Sequence, residues 1–181
     1  GDWSSDVCSS DLSLLERQII MLKSHGIEEI ILVGGYLSHK LPNQEAIVVH
    51  NPHFSSTNMV YSLFCAENYL NQNVIISYGD IVFSSKVLSK ILKSDKEISV
   101  AIDMDWKNYW SARIADPLKD VETLRLSSNL EIMEIGGKPK TMDEIQGQYI
   151  GLMKFTKSGI TKLKKVYNSC KKEKKINEKK I

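Results

Sequence analysis

Asp80 is the residue of this sequence with the clearest chemical potential. It follows the apolar run Val74, Ile75 and Ile76 and comes directly after Gly79. Such a run predicts a strand buried on both faces of an α/β sheet. Ligands of these sheets bind at the carboxyl ends of strands, where Gly79 lets a ligand approach the backbone and Asp80 offers a carboxylate. That oxygen suits Mg²⁺ held against nucleotide phosphates, although Asp80 could also cap the next helix or complete a turn.

A polar stretch, NPHFSSTNMVYS at residues 51–62, leads into a predicted helix. Thr57 or the serine before it is expected to cap that helix. Asn58, Tyr61 and Ser62 would then lie in its first turn or so. Free N–H groups and a partial positive charge at a helix start can face phosphates or a base edge, and ordinary capping is the alternative.

Two further motifs carry charges suited to chemistry. EIGGKPK, residues 134–140, places Lys138 in a glycine-containing turn, where its mobile ammonium can meet a phosphate or simply face water. Asp103 and Asp105 end an apolar strand as Asp-Met-Asp, a metal motif of many nucleotide-sugar glycosyltransferases. Asp103 could equally support a neighbouring ligand without touching a metal.

These residues are carried by an alternating pattern of helices and strands, which is typical of an α/β domain. The predicted elements are helix 13–25, strands 30–33 and 46–49, helix 58–70, strand 74–76, a helix from 84 or 85, strand 98–102, hairpin strands 122–126 and 130–135, strand 149–155 and a helix after 156. The segment 106–118 has no regular pattern, and its clustered aromatic residues are expected to cover a core.

Composition indicates a cytoplasmic protein of one domain. The 181 residues carry a formal net charge of +2, and no apolar run approaches the roughly 18 residues that a membrane span needs. Cys65 and Cys170 lack metal-site spacing, which favours a reducing compartment. Residues 171–181 hold six lysines and two glutamates, and we expect a basic helical or disordered tail in water, not a nucleic-acid-binding arm.

Residues 1–12 do not share the pattern of the rest. GDWSSDVCSSDL shows neither helical nor strand periodicity. Asp2 to Asp11 is what the DNA string GAC TGG AGT TCA GAC GTG TGC TCT TCC GAT encodes, and that string closely resembles the end of a sequencing-library adapter. We therefore expect residues 1–12 to be a non-native, adapter-derived segment that packs on nothing, and the genuine domain to occupy residues 13–170.

Together the motifs resemble the sugar-phosphate nucleotidyltransferase superfamily, and most closely its phosphocholine cytidylyltransferase-like branch. The resemblance spans nearly all of residues 14–167. It rests on ERQIIMLKSHGIEEIILVGGY (16–36), NPHFSSTNMVYSL (51–63), SYGDIVF (77–83), EIGGKPK (134–140) and GQYIGLMKF (147–155). It implies a nucleotide-binding, Rossmann-like (GT-A-like) fold with a mixed, mostly parallel sheet and flanking helices.

The resemblance also implies an activity. NMP would move from an NTP, with CTP expected in this branch, to phosphocholine, an aminophosphonate or a sugar phosphate, with release of pyrophosphate and use of Mg²⁺. Asp80 would hold the metal, and Lys138 would approach the acceptor phosphate, although Gly137 replaces the superfamily's glutamate. The residues implied to bind substrate are Asn58, Tyr61, Ser62, Gly79, Glu122 and Gln148.

Two family features are missing from the sequence. The glycine- and arginine-bearing phosphate loop is expected before Leu14, and a second metal-binding aspartate is expected downstream of Ile181. We therefore expect a partial domain that is unstable and inactive by itself.

Two other functions remain open. A GT-A glycosyltransferase would use Asp103 and Asp105 and release a nucleoside diphosphate. A non-catalytic module would bind a nucleotide or sugar phosphate without reaction. The sequence leaves the base, the acceptor and the oligomeric state open.

Overall fold

Helices and strands alternate along the chain in the computed structural model, which describes residues 12–113, 118 and 120–172. The helices are α1 (Leu14–Ser24), α2 (Met59–Cys65), α3 (Ser85–Leu92), α4 (Trp106–Arg113) and α5 (Lys157–Lys172). The strands are β1 (Ile31–Gly34), β2 (Ile47–His50), β3 (Val74–Ser77), β4 (Ile98–Asp103), β5 (Leu124–Leu126), β6 (Ile132–Ile135) and β7 (Gln148–Phe155). The predicted α/β class is confirmed. The predicted foreign segment up to residue 11 and the tail beyond residue 172 lie outside the described residues.

The described strands form three sheets. β1 and β2 pair in parallel, from Ile31 opposite Ile47 to Gly34 opposite His50. β5 and β6 form the predicted antiparallel hairpin. The remaining strands lie in the order β3-β7-β4. Among the described strands, β1 therefore pairs only with β2, and β3 pairs only with β7.

The chain divides into two compact units. The first comprises Gly1–Ser99 and Met153–Ile181, and the second comprises Val100–Leu152. In the first unit Leu70, Phe155 and Ile160 are buried together, with half-buried apolar residues of β3 and α5 packed around them. This group is an apolar cluster of the first unit.

The second unit is organised around Trp106. This side chain is buried with Val121 and Ile145, and Trp110 packs edge-on against it with ring centroids 6.4 Å apart. The expected covering of a core by aromatic residues is confirmed for these two tryptophans. The expected irregular backbone is wrong, because Trp106 begins α4. Asp105 holds the start of α4 with two hydrogen bonds from Asn108. Its backbone carbonyl accepts from the Asn108 N–H at 3.2 Å, and its carboxylate accepts from the Asn108 side-chain amide at 2.7 Å.

The predicted helix boundaries follow from local capping chemistry. Ser13 and Glu16 form the predicted capping box at the start of α1, and Gly26 ends the helix with a φ of +79°. Ser84 caps α3 by accepting from the Val87 N–H at 3.4 Å. Asp80 therefore does not cap that helix.

Two predictions about the middle of the first unit need correction. α2 is capped by Asn58 and not by Thr57 or Ser56. It ends at Cys65 and not near Leu70, and a 3₁₀ turn follows. All four residues of β3 are only half-buried, although the apolar run predicted a strand buried on both faces. None of the described helices combines the length and the apolar character that crossing a bilayer requires.

Candidate functional site

The turn after β3 holds Gly79 and Asp80, and a buried amide from α1 fixes it. Gln18 is 7% exposed. Its amide N–H groups donate to the Tyr78 carbonyl at 3.0 Å and to the Ile81 carbonyl at 2.7 Å. These two carbonyls lie on either side of Gly79-Asp80, so Gln18 holds both ends of the turn.

The Asp80 carboxylate is exposed and has no hydrogen-bond or ion-pair partner among the described residues. No three His, Cys, Asp or Glu side chains within the described ranges gather closely enough to hold a metal ion. Mg²⁺ is commonly held by one or two carboxylates with substrate phosphates and waters completing its shell. A lone free carboxylate in a fixed turn therefore fits one ligand of a metal–nucleotide complex.

Gly79 leaves open space beside Asp80. A Cβ placed on Gly79 meets no atom within 4 Å. Neither backbone strain nor neighbouring atoms therefore demand glycine at this position within the first unit. This space is available to a ligand that approaches the backbone.

A buried asparagine organises the polar loop after β2. Asn51 is 1% exposed. Its amide N–H groups donate to the hydroxyls of Thr57 at 3.1 Å and Ser62 at 3.0 Å, and its carbonyl oxygen accepts from the His53 N–H at 2.9 Å. Thr57 is thus engaged inside the loop, which leaves Asn58 as the residue positioned to cap α2.

The three predicted binding residues at α2 differ in what remains available for a ligand. The Asn58 side-chain oxygen accepts from the Tyr61 N–H at 3.1 Å, and the Ser62 hydroxyl is engaged by Asn51. The Tyr61 ring packs edge-on against His53 with centroids 6.1 Å apart. No hydrogen bond of the Tyr61 hydroxyl occurs within the described part of the chain, so this group is free to meet a ligand.

In the second unit, Thr123 holds the glycine turn that carries Lys138. Thr123 is 4% exposed and bonds to the turn three times. Its N–H donates to the Gly137 carbonyl at 2.7 Å, and its carbonyl accepts from the Gly136 N–H at 3.1 Å. Its hydroxyl accepts from the Gly137 N–H at 2.9 Å. The backbone just before Lys138 is thereby fixed.

The same contact explains why glycine occupies position 137. A Cβ on Gly137 would lie 2.7 Å from the Thr123 hydroxyl, which is closer than real Cβ atoms come. The carboxylate of Glu134 lies 3.4 Å from that point, so an acidic group is present beside the position even though residue 137 cannot supply it. Lys138 itself is exposed and has no partner among the described residues.

The side chain of Gln148 is hydrogen-bonded to the main chain of Glu122. Gln148 is 7% exposed, and its amide donates to the carbonyls of Glu122 at 2.8 Å and Gly147 at 2.9 Å. Its oxygen accepts from the Glu122 N–H at 3.4 Å. The Gln148 side chain therefore positions backbone, whereas the Glu122 side chain is exposed.

The two aspartates of the alternative metal motif are engaged in a local turn. Asp103 accepts from the Asp105 N–H at 2.9 Å, and Asp105 accepts from the Asn108 amide at 2.7 Å. Each carboxylate thus has a structural partner at the start of α4, unlike that of Asp80.

Gln18, Asn51 and Thr123 were not identified from the sequence. Gln18 stands three residues after Leu15 and four before Leu22, on the apolar stripe of α1, and a polar residue there signals a buried hydrogen bond. Asn51 and Thr123 give no comparable local signal, because their partners lie in loops whose paths only the fold defines.

We predict that Gln18→Leu destabilises the protein by roughly 1–3 kcal/mol, because the Ile81 carbonyl loses its donor and the Tyr78 carbonyl keeps only the Ser77 hydroxyl. Chemical denaturation would measure this change. The control is Gln44→Leu at an exposed glutamine, which should stay within about 0.5 kcal/mol of the wild type. Equal stability of the two variants would show that Gln18 does not hold the turn.

We also predict that Thr123→Val, which keeps the shape but removes the hydroxyl, frees the Gly137 N–H. Hydrogen exchange at that amide should become faster, and stability should fall by about 1 kcal/mol or somewhat more. Thr123→Ser retains the acceptor and should restore slow exchange. Unchanged protection in Thr123→Val would contradict the proposed role of the hydroxyl.

Comparison with known proteins finds relatives in sequence and in fold. No family model matches the chain. The CTP:phosphoglutamine cytidylyltransferase of Campylobacter jejuni is 39% identical over 154 residues, which cover 79% of this chain and 60% of that protein. The solved inositol-1-phosphate CTP transferase of T. maritima has a TM-score of 0.63 at 23% identity and covers 82% of this chain and 59% of its own. The CTP:phosphocholine cytidylyltransferase of Streptococcus pneumoniae has a TM-score of 0.58 at 15% identity over 94% of this chain and 68% of its own.

At these identities the two solved structures establish the fold alone. The chain spans about 60% of the length of its curated relative. The comparisons confirm the resemblance drawn from the motifs: this chain is similar in sequence to a cytidylyltransferase and similar in fold to solved nucleotidyltransferases.

Proposed function

We propose that the chain carries part of a nucleotidyltransferase that moves CMP from CTP to a small phosphorylated acceptor and releases pyrophosphate. The observation that carries the proposal is the free Asp80 carboxylate in a fixed turn at the end of β3, in a chain 39% identical to a cytidylyltransferase. We further assign the sheet to the Rossmann-like, GT-A-like class and the reaction to the cytoplasm, where nucleoside triphosphates are available.

On the nucleotide side, Asp80 would hold Mg²⁺ together with phosphate oxygens of CTP. When bound, this ion would neutralise phosphate charge during transfer. Gln18 fixes the turn, so the carboxylate is oriented before the nucleotide arrives. The open space at Gly79 lets the nucleotide come close to the backbone.

On the acceptor side, an oxygen of the acceptor phosphate would attack the α-phosphorus of CTP. The bond from that phosphorus to the β-phosphate oxygen breaks, and pyrophosphate leaves with the electron pair. Lys138 would bind the acceptor phosphate with its exposed ammonium, on a turn that Thr123 holds in place. No covalent enzyme intermediate is needed.

The remaining candidate residues fall into two groups: those with polar atoms free to contact a ligand and those whose side chains are hydrogen-bonded within the protein. We propose that Tyr61, the Asn58 amide N–H groups and the Glu122 carboxylate contact the acceptor. Ser62 and Gln148 would act by holding neighbouring groups, because their side chains are bonded within the protein. The acceptor we propose is a phosphorylated small metabolite of the kind named for the Campylobacter relative, phosphoglutamine.

We predict that Asp80→Asn lowers kcat by about 10²–10³, because the turn keeps its shape and loses its charge. Lys138→Ala should mainly raise KM for the acceptor. Since the chain spans 60% of its relative's length, the assay uses the product of the complete open reading frame and follows pyrophosphate release from CTP and phosphoglutamine.

Asp95→Asn, a change of the same kind at another exposed aspartate, serves as the matched control and should leave turnover unchanged. The free energies of unfolding derived from melting curves of all variants should agree within about 0.5 kcal/mol. Near-normal turnover of Asp80→Asn with a dead Asp103→Asn would promote the glycosyltransferase alternative. Binding of CTP without pyrophosphate release in the wild type would promote the non-catalytic alternative.

A further inference from the structure

His25, directly after α1, is hydrogen-bonded to α1 and to α3 at the same time. Its side chain is half-buried. The ring nitrogen Nδ1 lies 2.9 Å from the carbonyl oxygen of Met21. The other ring nitrogen, Nε2, lies 3.0 Å from the Ser85 hydroxyl and 3.1 Å from the Ser89 hydroxyl, both on α3. One imidazole therefore joins two helices that are far apart in the sequence.

The chemistry of these partners fixes the roles of the two ring nitrogens. A carbonyl oxygen only accepts, so Nδ1 carries the proton that is shared with Met21. In the neutral imidazole Nε2 then has a free lone pair, and it accepts from both serine hydroxyls. Ser85 and Ser89 are four residues apart and lie on the same face of α3. The ring therefore holds two successive turns of α3 against the end of α1.

The segment from β3 to α3 thus meets α1 at two places. Gln18 holds the turn that carries Asp80. His25 follows Gln18 by seven residues, which is roughly 10 Å along a helix axis, and it holds the start of α3. Only residues 81–84, which have no regular structure, connect Asp80 to α3. The path of the turn therefore depends on where α3 lies as well as on Gln18.

Apolar contacts also hold α3, but they are less selective about its position. Leu88 and Ile91 are buried side chains of this helix. Apolar burial is non-directional, so it tolerates a small shift or rotation of the helix. A hydrogen bond weakens steeply when its distance or angle changes. The contacts of His25 therefore restrict the position of α3 more narrowly than burial alone.

We propose that His25 is a positioning residue of the transferase reaction. By fixing the first two turns of α3 against α1, it sets the position of the Asp80 carboxylate, without touching the metal or the substrates itself. The inference rests on the proposed function, because it takes Asp80 as the metal ligand. Residues that orient a metal ligand through hydrogen bonds commonly change metal affinity or activity by about 10–100-fold when they are replaced.

Two substitutions separate the bonds of the two ring nitrogens. His25→Asn retains an N–H close to the position of Nδ1 but is too short to reach α3. His25→Gln retains an oxygen close to the position of Nε2, which accepts from the serines. In the product of the complete open reading frame, His25→Asn should raise the Mg²⁺ concentration that gives half-maximal pyrophosphate release by about tenfold. His25→Gln should restore most of the wild-type value.

The same bonds are removed from the side of α3 by the double substitution Ser85→Ala/Ser89→Ala. This variant should show the same rise in the Mg²⁺ requirement. Adding His25→Asn to it should cause no further rise, because the bonds are already lost. His39→Asn, the same change at an exposed histidine, is the matched control and should leave the requirement unchanged.

Hydrogen exchange gives a second measurement that needs neither metal nor nucleotide. The amides of Val87 and Leu88 donate to the Ser84 carbonyl at the start of α3. Their exchange should become faster in His25→Asn and in the double serine variant, and it should stay slow in His25→Gln. If His25→Asn does not fold, the double serine variant decides the question by the same two measurements.

The results distinguish this inference from the proposed function. A wild-type protein that releases no pyrophosphate would overturn both. An active wild type with an unchanged Mg²⁺ requirement in His25→Asn would overturn the inference alone. Faster exchange with an unchanged Mg²⁺ requirement would show that His25 only stabilises α3. Equal defects in His25→Asn and His25→Gln would show that the bonds to α3 are not the cause.

Discussion

The carbonyls of Tyr78 and Ile81 must find donors where the chain leaves β3. The buried amide of Gln18 donates to both, and the Ser77 hydroxyl also donates to the Tyr78 carbonyl. A polar group left without a partner at a buried site costs a few kcal/mol, so this contact limits the paths that the chain can take. The position of Gly79-Asp80, and with it the candidate metal ligand, depends on the contact. The second unit uses the same device, since Thr123 and Gln148 donate to or accept from the backbone next to Lys138 and Glu122.

Two kinds of residue form the candidate site: buried residues that hold its backbone, and exposed residues that can contact a ligand. Gln18, Asn51, Thr123 and Gln148 are buried, and their hydrogen bonds are made within the protein. Asp80 and Lys138 are exposed, with no partner among the described residues, on turns that such side chains fix. A charge held in place but left unpaired can interact with a phosphate without first breaking an internal bond. Our proposal that these two charges bind phosphate groups rests on this arrangement and on the 39% identity to a cytidylyltransferase.

Much of this arrangement could be predicted from local sequence. The capping box of Ser13 and Glu16, the strand before Gly79 and the hairpin after Glu122 each rest on chemistry between near neighbours in the chain. Predictions failed where tertiary contacts decided the outcome. Thr57 was expected to cap α2, but Asn51 engages its hydroxyl. Segment 106–113 lacks helical periodicity, and Trp106 instead anchors α4 through burial.

The half-buried state of β3 is the most informative difference. Its apolar run predicts burial on both faces, yet all four residues are half-buried and border a cavity of about 950 Å³ that β1 also lines. The sequence encodes a strand suited to the centre of a sheet, and the described part of the chain gives it a neighbour on one side only. Residue patterns report how much burial a strand is suited to, whereas the identity of its neighbour depends on segments far away in the chain.

The most direct test of the central claim locates the metal–nucleotide complex. Mn²⁺ broadens amide NMR signals steeply with proximity, so it can be added with CTP to the ¹⁵N-labelled product of the complete open reading frame. Signals of Gly79, Asp80 and Ile81 should broaden first, and Asp80→Asn should abolish the effect at the same Mn²⁺ concentration. Broadening centred on Asp103 to Asp105, or broadening at residues 79–81 that survives in Asp80→Asn, would contradict the account.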